Sequence, residues 1–307
     1  MQTKPLIRIG TRGSDLALWQ AHFVKAKLEN LGCEVLLQII VTQGDRIQDL
    51  SFDKLEGKGF FTKEIEAALL NNDIDLAVHS HKDLETTQPE GLCIGAVSYR
   101  EDPSELLLMR KIAQDPTQHW GLKAGAVIGT SSARRKSIIK ALRPDLQIEE
   151  LRGNVPTRID KLRAGHYDAI LLANAGVSRL QLALDDLHTL VLDPTEFIPA
   201  PAQGVLGLQI RQNDAQTQAI VAQLNHADVA SQIAIERGVL QALQGGCQLP
   251  LGVFYGQDKI YAAHAASSQI AAQFYQFDLG VSISEITATL QAEWAASLFL
   301  KTPKSSA

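Results

Sequence analysis

The sequence has few cysteines, few aromatic residues and no long apolar run. Its three cysteines, Cys33, Cys93 and Cys247, are far apart, which excludes a CxxC metal site and a disulfide framework. So few unpaired cysteines are typical of a reducing compartment. No stretch reaches the roughly 20 apolar residues of a membrane span, and the start of the chain lacks the apolar segment of a signal peptide. We therefore expect a soluble cytoplasmic protein with no membrane partner.

The chain also lacks an excess of basic charge. With 29 Lys and Arg residues against 34 Asp and Glu residues, its net charge is −5, which argues against binding nucleic acid over the whole surface. A content of 45% hydrophobic and 21% charged residues excludes intrinsic disorder, collagen-like repeats and coiled coil. At roughly 150 residues per domain, 307 residues predict about two domains, or three small ones.

Strand and helix signals alternate through the first half and the middle of the chain. Apolar runs typical of buried parallel strands are followed by segments with helical periodicity. This alternation predicts α/β layers with a parallel sheet. The predicted strands are residues 6–10, 35–41, 75–80, 126–129, 146–151 and 168–173, and the predicted helices are 14–31, 60–70, 131–142 and 155–164.

The last quarter of the chain has a different pattern, in which a helix near 231–243 precedes three short strand-like runs and a closing helix at 283–298. This pattern predicts a smaller α+β domain. We therefore expect two α/β domains and one α+β domain, formed by residues 1–99 with 200–225, by residues 100–199, and by residues 226–307.

Basic side chains are concentrated at junctions between predicted strands and helices. Residues 134–163 contain nine basic and four acidic residues, and Arg134, Arg135 and Arg152 follow the ends of strands. Free N–H groups and the helix dipole favour an anion at such positions, and Arg matches a carboxylate with two donors. The segment Thr11-Arg12-Gly13-Ser14 likewise places an arginine and hydroxyl side chains between a predicted strand and a predicted helix. These junctions predict a site for a ligand with several carboxylates or phosphates, although ordinary helix caps and solvated helix faces are an alternative interpretation.

A polar cluster follows the predicted strand 75–80 and contains His79, His81, Lys82 and Asp83. A carboxyl group at the carboxyl edge of a sheet is placed to act as a general acid or to stabilise a cation that develops on a substrate. The alternative is a loop aspartate paired with Lys82. A metal site at the two histidines lacks a third ligand, so we expect none.

The three cysteines have different surroundings. Cys33 and Cys93 lie in apolar runs, which predicts buried and inert thiols. Cys247 follows Gly245 and Gly246, whose lack of a side chain allows close approach of the backbone. An accessible loop thiol of this kind is a candidate nucleophile or attachment point.

The motifs at these positions resemble those of the porphobilinogen deaminase (hydroxymethylbilane synthase) family, and the resemblance extends along nearly the whole chain. Because many motifs occur in the same order, the match is specific. They are Ile9-Gly10-Thr11-Arg12-Gly13-Ser14, Gly57-Lys58-Gly59-Phe60-Phe61-Thr62, Val78-His79-Ser80 with Lys82-Asp83, Gly129-Thr130-Ser131-Ser132-Ala133-Arg134-Arg135, Arg152-Gly153-Asn154-Val155-Pro156-Thr157-Arg158, Gln203-Gly204, Glu236-Arg237 and Gly245-Gly246-Cys247-Gln248-Leu249-Pro250.

The resemblance implies two domains of the type II periplasmic-binding-protein fold, a smaller third domain, and a monomer that binds no nucleic acid. It implies a transferase of heme and tetrapyrrole biosynthesis. The family joins four porphobilinogen molecules head to tail with release of ammonia, and hydrolysis then frees hydroxymethylbilane. The chain grows on a dipyrromethane cofactor held by a thioether, which by position implies Cys247 as its attachment point.

The family's site residues are carried over by motif position. Asp83 matches the catalytic aspartate, and Lys82 lies beside it. The substrate carries an acetate and a propionate, so its carboxylates match the basic junctions. The residues implied to hold cofactor or substrate are Arg12, Ser14, Lys82, Asp83, Thr130, Ser131, Ser132, Arg134, Arg135, Arg152, Gly153, Arg158, Arg179 and Gln203, with Lys54, Phe61, His79 and Ser80 as less specific matches. The glycines and charges of segment 45–60 predict a mobile lid over the cleft.

Six residues depart from the family's pattern: His81, Glu85, Asn174, Ala202, Ala242 and Gln244. Two of them, His81 and Glu85, are titratable groups close to Asp83, so the rate and pH optimum stay open. Two alternatives remain beside the enzyme. One is an anion-binding or sensor protein on the same two-lobed fold, and the other is a paralogue that binds the cofactor but turns over poorly.

Overall fold

The computed structural model describes residues 4–46, 61–246 and 248–299. Strands and helices alternate from the first strand onward. In chain order they are β1 (Leu6–Thr11), α1 (Asp15–Asn30), β2 (Glu34–Ile39), α2 (Gln43–Arg46), α3 (Lys63–Leu70), β3 (Leu76–Ser80), β4 (Leu92–Val97), β5 (Glu105–Arg110), β6 (Val127–Gly129), α4 (Ala133–Leu142), β7 (Gln147–Glu149), α5 (Val155–Arg163), β8 (Ala169–Ala173), α6 (Asn174–Leu180), β9 (Leu187–Leu192), β10 (Leu206–Arg211), α7 (Ala215–Val221), α8 (Ala227–Ala242), β11 (Leu251–Tyr255), β12 (Lys259–His264), β13 (Gln273–Asp278) and α9 (Ile283–Phe299).

The first sheet has five strands in the order β2-β1-β3-β10-β4. β1 pairs in parallel with β2 and β3, whereas β10 is antiparallel to β3 and β4. Its central strands are apolar on both faces, as strands covered by helices must be. Ile9, Leu76 and Leu208 lie in this core together with Val24 and Leu28 of α1.

The second sheet repeats this arrangement in the order β7-β6-β8-β5-β9. β6 is parallel to β7 and β8, and β5 is the antiparallel strand. In each sheet the antiparallel strand is the first one formed after the chain has crossed from the other sheet. The crossing segments are residues 98–104 and 193–205. Two helix-covered sheets with this shared strand order confirm the predicted pair of periplasmic-binding-protein-like α/β domains.

The third sheet is a small antiparallel meander in the order β11-β12-β13. Helices α8 and α9 pack against it, and their apolar side chains form a separate core with Val253, Ile260 and Ala262. This arrangement confirms the predicted α+β unit. The limits of the three predicted domains remain a prediction.

Several element boundaries differ from the prediction because capping residues end the regular structure. The predicted helix from residue 131 begins at Ala133, since the Ser132 hydroxyl accepts a hydrogen bond from the Arg135 amide and acts as the N-cap. The last helix before the meander begins at Ala227, earlier than predicted, behind an N-cap at His226. Among the described helices none is long and apolar enough to cross a membrane.

A fully buried carboxylate, Glu236 of α8, joins both crossing segments to the third sheet. It accepts hydrogen bonds from Arg100 Nη1 at 2.7 Å, from the Ala202 amide at 2.7 Å and from the Tyr255 amide at 2.8 Å. A buried charge needs this many partners to offset its desolvation. Glu236 therefore holds together the two segments through which the chain enters and leaves the second sheet.

Close backbone packing in the second crossing segment requires glycine at residue 204. Its φ is +90°, and a Cβ placed there would lie 2.2 Å from the Glu101 carbonyl oxygen. The preceding Ala202 has φ +61°, which is the left-handed conformation that favours the glycine usual for the family at this position.

We predict that Gly204→Ala destabilises the protein by roughly 2–4 kcal/mol, because it adds a clash with a backbone atom to the cost of a positive φ. Urea unfolding measures this change. Gly32→Ala is the matched control, since Gly32 has φ +86° and open space around it, and it should cost only about 1 kcal/mol. Equal losses in the two variants would show that the contact with Glu101 is unimportant.

Candidate functional site

Asp83 is the last residue of a short 3-10 turn, His81–Asp83, that directly follows β3. Its side chain is exposed, while the neighbouring Lys82 is half-buried. Lys82 Nζ donates to Gln203 Oε1 at 3.1 Å. No cation of the described residues lies within ion-pair distance of the Asp83 carboxylate, so the alternative of a paired loop aspartate finds no support.

Lys82 lies in an electrostatic environment shared by both sheets. Desolvation lowers the pKa of Lys82, and Arg135 and Arg134 lower it further, while Asp83 and Glu105 oppose the change. Arg134, Arg135 and Glu105 belong to the second sheet and its helix α4, whereas Lys82 follows a strand of the first. Gln203 Nε2 also donates to the Pro103 carbonyl at 2.7 Å, so Lys82 lies between the first sheet and the start of the second, a place that we call the cleft.

Arg134 and Arg135 both bind the fully buried carboxylate of Glu105, the first residue of β5. Arg134 Nη2 lies 2.5 Å from Glu105 Oε1, and Arg135 Nη2 lies 2.6 Å from Oε2. Although desolvation alone would raise it, these two guanidinium groups hold the pKa of Glu105 at about 2. Arg134 also donates to the Ile198 carbonyl, and Arg135 to the Leu171 carbonyl. The two guanidinium groups and the Glu105 carboxylate together carry one net positive charge.

The hydroxyl residues of the same junction are engaged with the backbone. Ser131 Oγ donates to the Leu151 carbonyl at 2.7 Å and accepts from the Leu151 amide. Thr130 Oγ1 accepts from the Ser132 amide at 3.3 Å. The two bonds between Ser131 and Leu151 join the end of β6 to the segment after β7, so the two basic junctions lie side by side.

Arg152, Gly153 and Arg158 form the second of these junctions. Gly153 has φ +114°, and a Cβ there would lie 2.7 Å from Thr157 Cγ2, so glycine is required. Its carbonyl accepts from Arg158 Nε at 2.7 Å. The pKa of Arg158 is lowered to about 10 by desolvation, then by Arg135 and Arg152, while Asp83 opposes the change. Arg158 is therefore close enough to Asp83 to sense its charge across the cleft.

Three other predicted residues have partners within the protein. Arg12 forms an ion pair with Asp45 and lies over the Phe61 ring, at 4.2 Å from its centroid. Arg179 is buried, donates to the Gly204 carbonyl at 2.7 Å, and lies 5.5 Å from the centre of the Trp19 ring. Ser14 is the N-cap of α1.

The two histidines near Asp83 are both buried and neutral. His79 Nε2 forms a hydrogen bond of 3.1 Å with Gln209 Oε1, and burial lowers the pKa of His79 to about 4. Burial, Arg237 and His79 lower the pKa of His81 to about 3. Ser80 accepts from Gln20. The departure at His81 therefore adds no second titrating group near neutral pH, and no described cluster of His, Cys, Asp and Glu side chains can hold a metal ion.

The donors of the cleft fit a ligand with several carboxylates. Nε of Arg135 and Nε of Arg179 are buried and have no hydrogen-bond partner among the described residues. The pKa of Arg158 is lowered by desolvation first and then by the charges of Arg135 and Arg152, and a bound anion would oppose both effects. A polycarboxylate such as dipyrromethane supplies both the negative charge and the acceptors that these groups need.

Some predicted residues lie outside the described part of the chain. These are Cys247 and Lys54, and with Lys54 most of the predicted lid. In sequence, Cys247 comes after the end of α8 at Ala242 and before the start of β11 at Leu251. Cys33 is buried and Cys93 half-buried, and desolvation raises the pKa of both thiols.

The sequence predictions assigned no role to Glu105, Arg100, Glu236 and Arg237. The first has a recognisable signal, because a single glutamate at the start of the apolar run Leu106–Met109 must be buried with a counter-ion. Arg100 lies far from Glu236 in sequence, and Arg237 lies far from His81, so only the folded chain brings these partners together.

Comparison with known proteins was made on sequence and on structure. Residues 7–219 match the family model "Porphobilinogen deaminase, dipyromethane cofactor binding domain". The porphobilinogen deaminase of Sulfurimonas denitrificans is 47% identical over 247 residues, which cover 80% of this chain and 77% of that protein. The porphobilinogen deaminase of Syntrophobacter fumaroxidans is 46% identical over 255 residues, covering 81% of this chain and 80% of that protein.

Among solved structures, the periplasmic VFT2 domain of Bordetella pertussis BvgS covers 76% of this chain and 93% of that domain. Its sequence identity is 12% and its TM-score is 0.44. The fold assignment rests on the strand order described above and not on this likeness.

We predict that Glu105→Gln destabilises the protein by roughly 3–5 kcal/mol at pH 7, because two buried guanidinium groups lose their counter-charge. The folded pKa of about 2 lies below the ordinary 4.5, so this carboxylate stabilises the fold fully above pH 4.5 and loses its effect as the pH falls towards 2. Wild-type stability should therefore lose about 3 kcal/mol from this group across that window.

Urea unfolding between pH 7 and pH 3 measures both effects. Glu105→Gln should lack this part of the acid sensitivity. The control is Asp278→Asn, which removes the exposed pair with Lys259 and should change stability by less than about 1 kcal/mol. Equal acid profiles for wild type and Glu105→Gln would contradict the assignment.

Proposed function

The chain belongs to the porphobilinogen deaminase family, and from this membership we propose how the residues of its cleft carry out the family's reaction. The chain is a transferase that acts as a hydroxymethylbilane synthase. It joins four porphobilinogen molecules head to tail on a dipyrromethane cofactor and releases ammonia at each step. Finally it frees the linear tetrapyrrole by hydrolysis.

We propose that the basic edge of the second sheet holds the carboxylates of cofactor and substrate. When bound, dipyrromethane supplies the terminal pyrrole to which the new unit is joined. Arg135, Arg152 and Arg158 offer forked donors that match carboxylates in two-pronged hydrogen bonds. The support is the desolvation of Arg158 beside the like charges of Arg135 and Arg152, and the buried Nε of Arg135, which has no partner among the described residues. The wider set proposed to line the cleft is Arg12, Ser14, Thr130, Ser131, Ser132, Arg134, Gly153, Arg179 and Gln203.

Asp83 is the proposed catalytic residue. Loss of ammonia from porphobilinogen leaves positive charge spread over a pyrrole ring, and a carboxylate can accept the pyrrole N–H and stabilise that charge. The surrounding arginines have no acceptor and cannot do this. The same carboxylate is placed to assist proton transfer when the new bond forms. The exposure of Asp83 at the end of β3, beside Lys82 and within range of Arg158, supports this role.

Lys82 is proposed to bind a substrate carboxylate next to Asp83. Its Nζ is held by Gln203 and not by Asp83, so the ammonium group can interact with a ligand while the carboxylate keeps its acceptor oxygens. The lowered pKa of Lys82 shows how strongly this place disfavours further positive charge. A bound anion would reverse that effect.

The observation that carries the proposal is the contact of Lys82 with Gln203, which also donates to the Pro103 carbonyl, because Pro103 lies two residues before the Glu105 that binds Arg134 and Arg135. We further propose a monomer in the cytoplasm that binds no nucleic acid. The few cysteines and the net charge of −5 support these points.

We predict that Asp83→Ala loses at least about 100-fold in product formation, because the neighbouring Lys82 and the arginines of the cleft have no acceptor that can stabilise the pyrrole cation. The purified variant should still carry the cofactor, seen as unchanged added mass in intact-mass spectrometry. Glu85→Gln is the matched control, since it removes a carboxylate two residues away and should keep turnover within about twofold. An active Asp83→Ala protein would end the assignment of Asp83.

We predict that Cys247→Ser abolishes covalent attachment, because a serine hydroxyl is not a thiolate and forms no thioether. Intact mass should fall by two pyrrole units relative to the wild type. Cys93→Ser serves as the control and should keep the full mass. A reversible anion-binding protein on this fold would show only the mass of the polypeptide in every variant, which would refute the proposed function.

A further inference from the structure

A single guanidinium group from α8 binds the backbone on both sides of Asp83. Arg237 Nη1 donates to the His81 carbonyl at 2.9 Å, and Nη2 donates to the Leu84 carbonyl at 3.1 Å and to the Glu85 carbonyl at 2.7 Å. These three carbonyls belong to a segment of five residues. Sequence analysis gave Arg237 no role.

The need for such a group follows from the local backbone. The turn His81–Asp83 is a single turn of 3-10 helix, closed by the Leu84 amide on the His81 carbonyl, and the chain is extended at Leu84, so the carbonyls of Leu84 and Glu85 have no partner inside the turn. A planar guanidinium with five donors can satisfy several carbonyls at once, and its charge strengthens each bond. Lysine has one point charge and cannot match that geometry.

A second chain of contacts reaches the same loop from the neighbouring residue of α8. Glu236 binds Arg100, Arg100 Nε donates to the Gln203 carbonyl at 3.0 Å, and Gln203 Oε1 accepts from Lys82. Glu236 and Arg237 therefore hold Lys82 and the carbonyls around Asp83 by two separate routes. The same helix ends at Ala242, five residues before the proposed attachment point, Cys247.

We propose that Arg237 is a positioning residue, which holds the loop of Asp83 in a constant position against α8. This role rests on the proposed function of Asp83. Misplacing a catalytic group by about 1 Å can cost a factor of about 100 in rate. Loss of the guanidinium should therefore slow the chemical step while substrate binding by the cleft arginines is largely kept.

The test compares Arg237→Gln and Arg237→Lys with the wild type as cofactor-loaded proteins, with loading checked by intact mass. We expect kcat to fall by about 10- to 100-fold in Arg237→Gln and by less in Arg237→Lys. The KM for porphobilinogen should change by no more than about threefold. All rates are measured well below the melting temperature of each variant.

Arg143→Gln is the matched control. Arg143 is a buried arginine that, like Arg237, donates to three backbone carbonyls, those of His119, Leu122 and Lys123, which lie at the far end of α4 from the cleft. The Arg143→Gln substitution should lower the melting temperature and leave kcat unchanged. A fall in kcat for Arg237→Gln alone supports the positioning role.

Two results would overturn the proposal. Unchanged kcat in Arg237→Gln would remove the positioning role and leave the proposed function intact. Equal falls in kcat for Arg237→Gln and Arg143→Gln would show a general effect of stability. If Arg237→Gln does not fold, Arg237→Lys decides by the same criteria. A wild type without turnover would overturn the proposed function and the positioning role together.

Discussion

The cleft depends on the buried pairing of Glu105 with Arg134 and Arg135. Two guanidinium groups on consecutive residues of α4 would repel each other and destabilise the start of that helix if they were buried alone. The single carboxylate removes half of their charge and leaves an edge that is still net positive. The fold can therefore keep arginines in a desolvated place where their attraction to an anion is strong. Arg158 and Lys82 both feel the charge of Arg135, and Asp83 is the acid that we propose to act beside them.

The third, smaller unit of the molecule links the parts of this site. Glu236 holds both crossing segments, and its neighbour Arg237 holds the loop of Asp83. A motion of one sheet relative to the other must take place around these contacts, because the chain passes between the sheets only at residues 98–104 and 193–205. Both crossing segments and the loop of Asp83 are thus attached to the helix α8. The basic junctions belong to the second sheet.

Much of this could be predicted from sequence, and for physical reasons. Apolar runs and helical periodicity predicted most strands and helices, and the helix predicted from residue 155 begins there, whereas the one predicted from residue 131 begins at Ala133. The basic residues at strand ends were candidates because free N–H groups and the helix dipole favour an anion there, and their roles remain a prediction. The sharing of Glu105 between two arginines, and the contacts of Arg237 with residues 81–85, were not predictable, because they join positions 29 to 156 residues apart. Local patterns carry no information about such long-range partners.

The position of β10 has a consequence for synthesis of the chain on the ribosome. It lies between β3 and β4, which are neighbours in sequence, so the first sheet has an open slot until residues 206–211 have emerged. The second sheet is built entirely from residues 105–192 and is complete earlier. The second sheet can therefore form all its strand pairs first, although its residues come later in the chain. Until β10 is made, β3 and β4 of the first sheet each keep an edge without a partner strand. During that interval the nascent protein exposes the surfaces that chaperones bind.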